Sequence, residues 1–229
     1  MQTRRILSTK ILLSHHKRWL LNAGLSVVEF DFINIRPKEF LFNFVNDYLI
    51  FTSQNAVEMV LNHPKFELLQ TRKCFCVGDK TADLLQKNQF EICVKAQIAE
   101  ELAEIIIQKY LLNSFTFFSG NLRLDTLPLL LNQNKVTWNE IQVYETVLQP
   151  NKIALETDGI LFFSPTGVES FLQDNEIENA QCFCIGKTTA KALSSQTNNI
   201  TIANQPSVEN VIIQCVNFYK KNDNPITQT

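Results

Sequence analysis

Short apolar runs alternate with amphipathic stretches along this chain. "YLIFTS" from Tyr48 and "ILFFS" from Ile160 are too short for helices and read as buried strands. A polar turn follows each run, and apolar residues at helical spacing come next. Asn55-x-x-Glu58 and Thr166-x-x-Glu169 resemble capping boxes, and Pro165 suits a first helical turn. "CFCVG" and "CFCIG" repeat the scheme, with Thr81 and with Thr188 or Thr189 near the next helix start. At the start of the chain, "RRILSTK" reads as a strand and "LLSHHKRWLLNAG" as a helix ending at Gly24. Strands alternating with helices predict parallel sheets covered on both faces, with the loops at the carboxyl ends of the strands facing one cleft.

The pattern occurs twice. With Asp47 laid over Asp158, "DYLIFTSQNAVE" and "DGILFFSPTGVE" share five identities in twelve. With Cys74 over Cys182, "CFCVGDKTADLL" and "CFCIGKTTAKAL" share seven in twelve. Chance at ordinary composition gives about one per window. A third echo pairs "AQIAEELAEIII" with "ANQPSVENVIIQ" in the same order, so two related domains are expected. "NIRPK" (34–38) and "QVYETVLQP" (142–150) are extended, proline-containing segments on either side of the first repeat. They delimit one domain at 38–143 and a discontinuous one at 1–34 plus 150–229, with 34–38 and 142–150 as linker strands. The terminal "KKNDNPITQT" has the composition of a disordered tail.

The chain has 229 residues and a net charge of -2, with no long basic run or aromatic-basic patch of the kind that binds nucleic acid. No apolar run has signal-peptide or transmembrane character. Arg4, Arg5, Lys10, Lys17 and Arg18 all precede Glu29, the first acidic residue. A transit peptide has this bias, but the strand and helix pattern assigns the segment to the fold. The cysteines at 74, 76, 93, 182, 184 and 215 lie in apolar stretches. Positions i and i+2 of a strand share a face, so Cys-Phe-Cys reads as core packing rather than a zinc site, and the compartment as reducing cytosol. His15 and His16 adjoin Lys17 and Arg18 on an expected solvated helix face, His63-Pro64 reads as a helix end, and Trp19 and Trp138 as packing residues.

Gly186-Lys187-Thr188 matches the tail of a phosphate-binding P-loop, but the required first glycine is replaced by Gln181, and by Lys73 in the parallel loop. No Gly-x-Gly-x-x-Gly follows a strand either. Instead, Gly78 and Gly186 are expected to turn the backbone out of a strand and expose the free amides of a helix start, which bind anions. A plain turn capped by Ser or Thr is the alternative for any one loop. Four such loops favour a polyanionic ligand.

Taken together, "ILSTK", "LIFTSQNAVE", "CVGDKTA", "FFSGNLRLDTLPLLL", "VYETV", "FFSPTGVESF", "CIGKTTAKAL" and "PSVEN" resemble the uroporphyrinogen-III synthase family in its own order over nearly the whole chain. The resemblance implies two flavodoxin-like α/β domains, each a parallel sheet with helices on both faces, joined by a two-segment extended linker. It implies cyclisation of hydroxymethylbilane in the cleft between them, in tetrapyrrole and haem biosynthesis. Ring A loses its hydroxyl to give an azafulvene, ring D attacks through its substituted carbon, and a spiro intermediate rearranges to leave ring D inverted. The implied enzyme is a cytoplasmic monomer without cofactor or metal, in transient contact with the preceding deaminase.

By the same resemblance, Tyr144 of "VYETV" matches the family tyrosine proposed to protonate the departing hydroxyl, a task open to a phenol at neutral pH. A linker-packing tyrosine is the competing role. Thr81, a second catalytic candidate, and Thr189 match the family's cleft threonines, with Thr188 beside them, and helix capping as the plainer role. Ser53, Gly78, Ser164, Thr166, Gly167, Gly186 and Ser207 stand at matching helix starts as carboxylate-binding candidates. Gly120, Asn121 and Arg123 belong to another matching loop, where Arg123 is suited to pair with a propionate. Lys10 stands where arginine is common, and Gln54-Asn55 replaces a proline-containing turn, which alters substrate contacts rather than the assignment. The alternative class is a non-catalytic two-domain module that closes on a small anion.

Overall fold

A computed structural model describes residues 3–41 and 44–223. The chain opens with β1 (Arg5–Ser8), α1 (Ser14–Asn22), β2 (Ser26–Glu29) and β3 (Ile33–Pro37). Next come β4 (Tyr48–Phe51), α2 (Gln54–Leu61), β5 (Lys73–Val77), α3 (Asp79–Lys87), β6 (Ile92–Ala96) and α4 (Ala99–Lys109). Then follow β7 (Ser114–Gly120), α5 (Thr126–Gln133) and the long β8 (Thr137–Leu148). The last stretch holds β9 (Gly159–Phe162), α6 (Pro165–Asp174), β10 (Gln181–Cys184), α7 (Lys187–Leu193), β11 (Ile200–Ile202) and α8 (Val208–Asp223). Residues 220–223, assigned by composition to a tail, continue α8, and the rest of that tail lies outside the described residues.

Two compact units result, Met1–Asn34 with Val147–Thr229 (unit 1) and Ile35–Thr146 (unit 2). Unit 1 carries a five-stranded sheet in the order β11-β10-β9-β1-β2, every recorded pair parallel. Unit 2 carries the order β8-β7-β4-β5-β6, also parallel, with β3 added at the β8 edge. Numbered from its own first strand, unit 1 reads 2-1-3-4-5, the flavodoxin order. Unit 2, numbered from β4, reads 3-2-1-4-5 in the reverse direction of strand appearance at its β7–β8 side. The two coincide once β4 is matched to β9 and β7 to β1, so they differ by a circular shift of the chain. The internal repeat therefore shows in β4 to α4 against β9 to α8 and fades where the shift breaks collinearity.

Each sheet is covered on both faces, and the strand sequences alternate accordingly. In unit 2, Leu49, Phe51, Cys74, Cys76 and Phe118 face α2 and α3, where Val57, Val60 and Leu85 receive them. Ile50, Phe75, Phe115 and Phe117 face α4 and α5, against Leu102, Ile106, Leu127 and Leu131. Unit 1 repeats the division. Cys182 and Cys184 lie with Phe162, Phe171 and Leu193, whereas Phe183 lies on the other face with Leu20, Val211 and Ile212. Both Cys-Phe-Cys triplets are thus core elements. Burial pushes the Cys76 thiol up to about 11 and those of Cys182 and Cys184 up to about 12, so they remain protonated. Each fully buried phenylalanine contributes about 1.5–3 kcal/mol of transfer free energy.

The basic N-terminal segment is structural. β1 is an interior strand, the Arg5 amide donates to Asp158 Oδ2 at 2.7 Å, and Lys17 pairs with the nearly buried Glu29. α1 ends at Asn22 through Ala23 and Gly24, whose φ of +78° allows Gly24 N–H to bond Leu21 O and Leu25 N–H to bond Leu20 O. That pairing is a Schellman cap, which favours glycine. No helix among the described residues is long and apolar enough to cross a membrane.

Gly159 opens β9 under Tyr219, whose hydroxyl donates to Asp158 O at 2.7 Å. A Cβ at 159 would stand 2.8 Å from that hydroxyl and 3.1 Å from Ile6 Cδ1. Gly159→Ala is expected to push Tyr219 off its acceptor and destabilise the protein by about 1–3 kcal/mol. A urea titration followed by circular dichroism will check this, and an unchanged midpoint would refute it.

Candidate functional site

In unit 2 the carboxyl ends of β4 and β7 lie side by side where the chain order reverses, with β5 on the other flank of β4, the usual ligand edge of such a sheet. β4 runs into Ser53, which is extended (φ −150°, ψ 148°) and caps α2: its Oγ accepts from Ala56 N–H at 3.2 Å. The cap thus falls on Ser53, two residues before the Asn55 box expected from sequence, because the chain turns helical directly at Gln54. Likewise α6 is capped by Ser164, which accepts from Gly167 N–H at 2.9 Å, and not by Thr166; Pro165 occupies the first helical position.

The Ser53 hydroxyl also lies 3.2 Å from Tyr144 Oη. Tyr144 reaches it through a local irregularity. β7 and β8 pair regularly to Ser119 opposite Gln142, and then Gly120 stands opposite Tyr144, skipping Val143. This shift lays the phenol ring over Gly120. A Cβ there would overlap ring carbons Cε2 and Cζ and stand 2.8 Å from Oη, so only glycine admits the ring in this position. Asn121 secures the following turn, since its Oδ1 accepts from Thr146 N–H at 2.8 Å and its Nδ2 donates to Thr146 O at 3.2 Å. Three residues singled out from separate motifs, Ser53, Gly120 and Tyr144, therefore meet, and Asn121 braces the same strand end.

Arg123 is held from within. Its Nε donates to Glu140 Oε1 at 2.7 Å and its Nη2 to Oε2 at 3.0 Å, while Nη1 bonds Asp125. Ser119 donates to the same Glu140 carboxylate. The Glu140 bonds foremost hold the guanidinium above its ordinary value. Burial works against ionised Glu140, yet the Arg123 and Ser119 bonds outweigh it and leave the carboxyl below its usual range. A bidentate ion pair of this kind fixes the loop that carries Gly120 and Asn121. Sequence reading assigned Arg123 to a propionate and missed Glu140, whose place on β8 was the available signal.

Gly78 caps α3 with φ +85°, a conformation that favours glycine, and a Cβ built there meets nothing within 4 Å. The first turn of α3 carries Asp79, paired with Lys95 at 2.9 Å, and buries Thr81. Gly186 differs from expectation. Its φ of −171° is ordinary extended backbone, so the turn there needs no glycine, although space beside it is equally open. Behind it Thr188 is exposed and Thr189 buried, with the Thr189 Oγ1 atom unpaired among the described residues.

In unit 1, Thr9 Oγ1 donates to Leu161 O at 2.8 Å, beside the α6 start: it would stand 3.8 Å from a Cβ at Gly167. Lys10 is exposed, with Nζ 6.0 Å from the Phe163 ring centroid. Ser207 accepts from Asn210 N–H at 3.2 Å at the start of α8. Thr9 was missed; its position at the end of a strand, inside "ILSTK", was the cue. The expected solvated face of α1 needs a correction too. His16 is buried and bonds Glu209 Oε1 at 3.0 Å, because α8 packs over it, and Trp19 remains 42% exposed rather than packed away.

Two doubly wound α/β units, each with helix starts at the carboxyl ends of its strands, define a class of two-unit flavodoxin-like proteins. The chain belongs to the uroporphyrinogen-III synthase family: the family model described as "Uroporphyrinogen-III synthase HemD" matches residues 15–213. A uroporphyrinogen-III synthase of Chlorobaculum parvum is 29% identical over 212 residues, covering 81% of this chain and 85% of the relative. Among solved structures, the uroporphyrinogen-III synthetase of Helicobacter pylori superposes with a TM-score of 0.71 at 23% identity, covering 94% of this chain and 100% of that one. A mutant uroporphyrinogen III synthase of the extremely thermophilic bacterium Thermus thermophilus gives 0.67 at 13% identity, with 96% and 100% covered.

The depressed Glu140 carboxyl carries a pH signature. Its contribution is complete above the unfolded value of about 4.3 and is lost as pH falls through the lower folded value. Glu140→Gln is expected to lower stability near neutral pH and to lessen the loss on acidification. Urea midpoints measured across acid pH decide this: equal pH slopes in variant and wild type would exclude the Arg123–Glu140 pair as a source.

Proposed function

We propose that this chain converts hydroxymethylbilane into uroporphyrinogen III with net loss of water and inversion of ring D, with Tyr144 as proton donor. Family membership supports the reaction, and the Tyr144–Ser53–Gly120 contact supports the residue. Ser53 accepts from Ala56 N–H; in this reading its own O–H donates to Tyr144 Oη across their 3.2 Å contact and frees the phenolic proton for a substrate oxygen. That proton goes to the ring A hydroxyl, which departs as water. The resulting azafulvene is attacked by the substituted carbon of ring D, and the spiro intermediate rearranges and closes. The proton released on closure restores the phenol, so hydroxymethylbilane yields uroporphyrinogen III and water in balance.

The pyrroles supply the electrons, so holding the chain in its folded form is the larger share of the task. The acetate and propionate groups suit the open helix starts at Gly78 and Gly186, where no side chain would crowd an approaching carboxylate. In this reading Ser164, whose Oγ already accepts from a helix amide, presents its hydroxyl proton to a carboxylate, while the Ser53 proton is engaged by Tyr144. At the remaining strand ends Thr166, Thr188, Thr189 and Ser207 offer hydroxyls and Lys10 an ammonium to further carboxylates, Gly167 leaves room beside Ser164, and Thr81 assists Tyr144 in catalysis. Arg123 acts through Glu140 as a positioning residue. The enzyme acts as a cytoplasmic monomer in transient contact with the preceding deaminase; its six free cysteines suit a reducing compartment.

The deciding assay supplies purified protein with freshly generated hydroxymethylbilane, oxidises the products and separates uroporphyrin isomers I and III. Isomer III well above the spontaneous background is expected. Isomer I alone from folded protein would overturn the reaction and favour the binding module. Tyr144→Phe should lower turnover about tenfold or more with the fold retained, short of the ~10²–10⁴-fold of a full general acid where positioning carries the larger share. Gly120→Ala should do the same by displacing the ring, and unchanged kinetics in both would remove Tyr144 from the mechanism.

A further inference from the structure

His15 and His16 near the start of α1 and Glu209 near the start of α8 form a cluster that the synthase reaction does not use. Among the described residues, theirs is the group of histidine, cysteine and acidic side chains close enough to share an ion, with all three ligand atoms within 4.8 Å of one another. The rings of His15 and His16 have centroids 4.0 Å apart, and Trp19 meets both edge-on at 6.1 and 5.7 Å. His16 is buried, His15 is exposed, and the Glu209 side chain is 39% exposed, so the cluster opens to solvent on one side.

We propose that His15, His16 and Glu209 bind a divalent transition cation, Zn2+ by the chemistry of the donor set, and that the ion ties α1 to α8 within unit 1. Two imidazoles and one carboxylate, with a remaining position for water, are an established zinc donor set. Zinc lies about 2.0–2.2 Å from such ligands, so two of them stand about 3.3 Å apart around one tetrahedral ion. His16 Nε2 and Glu209 Oε1 are already 3.0 Å apart, and the exposed His15 imidazole, within 4.8 Å of both, needs to close by at most about 1.5 Å to complete the set. Without an ion, the same residues reduce to an interhelical His16–Glu209 hydrogen bond with His15 as a bystander, and the two arrangements respond differently to metal.

The test uses the full chain, freed of metal with a chelator and kept reduced with a phosphine, and titrates it with ZnCl2 by calorimetry at neutral pH. Equimolar, saturable binding at micromolar Zn2+ is expected, with a rise in thermal midpoint and a change in Trp19 fluorescence. His15→Ala removes an exposed ligand at no cost to packing, and Glu209→Gln keeps a hydrogen-bonding group beside His16. Each should weaken binding by at least about tenfold and abolish the thermal shift. Trp19→Phe should lose the optical signal and keep the affinity. All six cysteines remain in these variants, so undiminished Zn2+ affinity in both His15→Ala and Glu209→Gln would assign the metal to thiols or surface and overturn the proposal. Absence of saturable binding below millimolar Zn2+ would overturn it equally.

Discussion

A parallel strand with helices on both sides must bury every side chain along its length, and this constraint governs both units. It fixes the alternation seen at Cys74-Phe75-Cys76 and Cys182-Phe183-Cys184, where sulfur packs on one face and the aromatic ring on the other. Small side chains on one face and large ones on the other fill both helix interfaces of the same strand. Apart from Thr116 in β7, which bonds Asn46 and Asn139, the polar side chains of the interior strands gather at their ends. The serines that follow β4 and β9 are therefore helix caps whose hydroxyls stand at the ligand edge of the sheet.

The same constraint explains why Tyr144 can stand at a strand end at all. β8 has covered its length of sheet by Val143, whose side chain is fully buried. Beyond it the register slips, Gly120 yields its side-chain volume, and an aromatic ring lies where a regular ladder would have placed it against a neighbour's Cβ. The Arg123–Glu140 pair and the two Asn121–Thr146 bonds then stiffen the turn on either side. The phenol is thereby held by backbone geometry and by polar bonds that do not depend on substrate.

Much of this was legible in the residues. Strand identity followed from "YLIF" and "ILFF", the duplication from matched blocks, and the family from their order, because local apolar pattern and turn chemistry act over a few positions. What escaped depended on partners far along the chain. His16 looked solvated until α8, which places Glu209 193 positions later, covered it. Arg123 looked free until Glu140 on the neighbouring strand claimed it. Gly186 looked like an obligatory turn because its counterpart Gly78 is one, yet the first is extended and the second left-handed. The capping boxes slipped by two residues because an Asn or Thr inside the first turn has the same local signature as the serine before it.

The circular shift between the units has a temporal side. Unit 2 is continuous, and its strands find their neighbours within the stretch Ile35–Thr146. In unit 1, by contrast, β1 waits for β9: the Arg5 amide bonds a carboxylate 153 positions away. Because contacts of such separation are slow to form, and a chain leaving the ribosome presents its segments in order, the middle of this protein is built first. The first strand and helix have β2 and Glu29 as near partners, but Arg5 and His16 meet Asp158 and Glu209 only when the second segment of unit 1 docks.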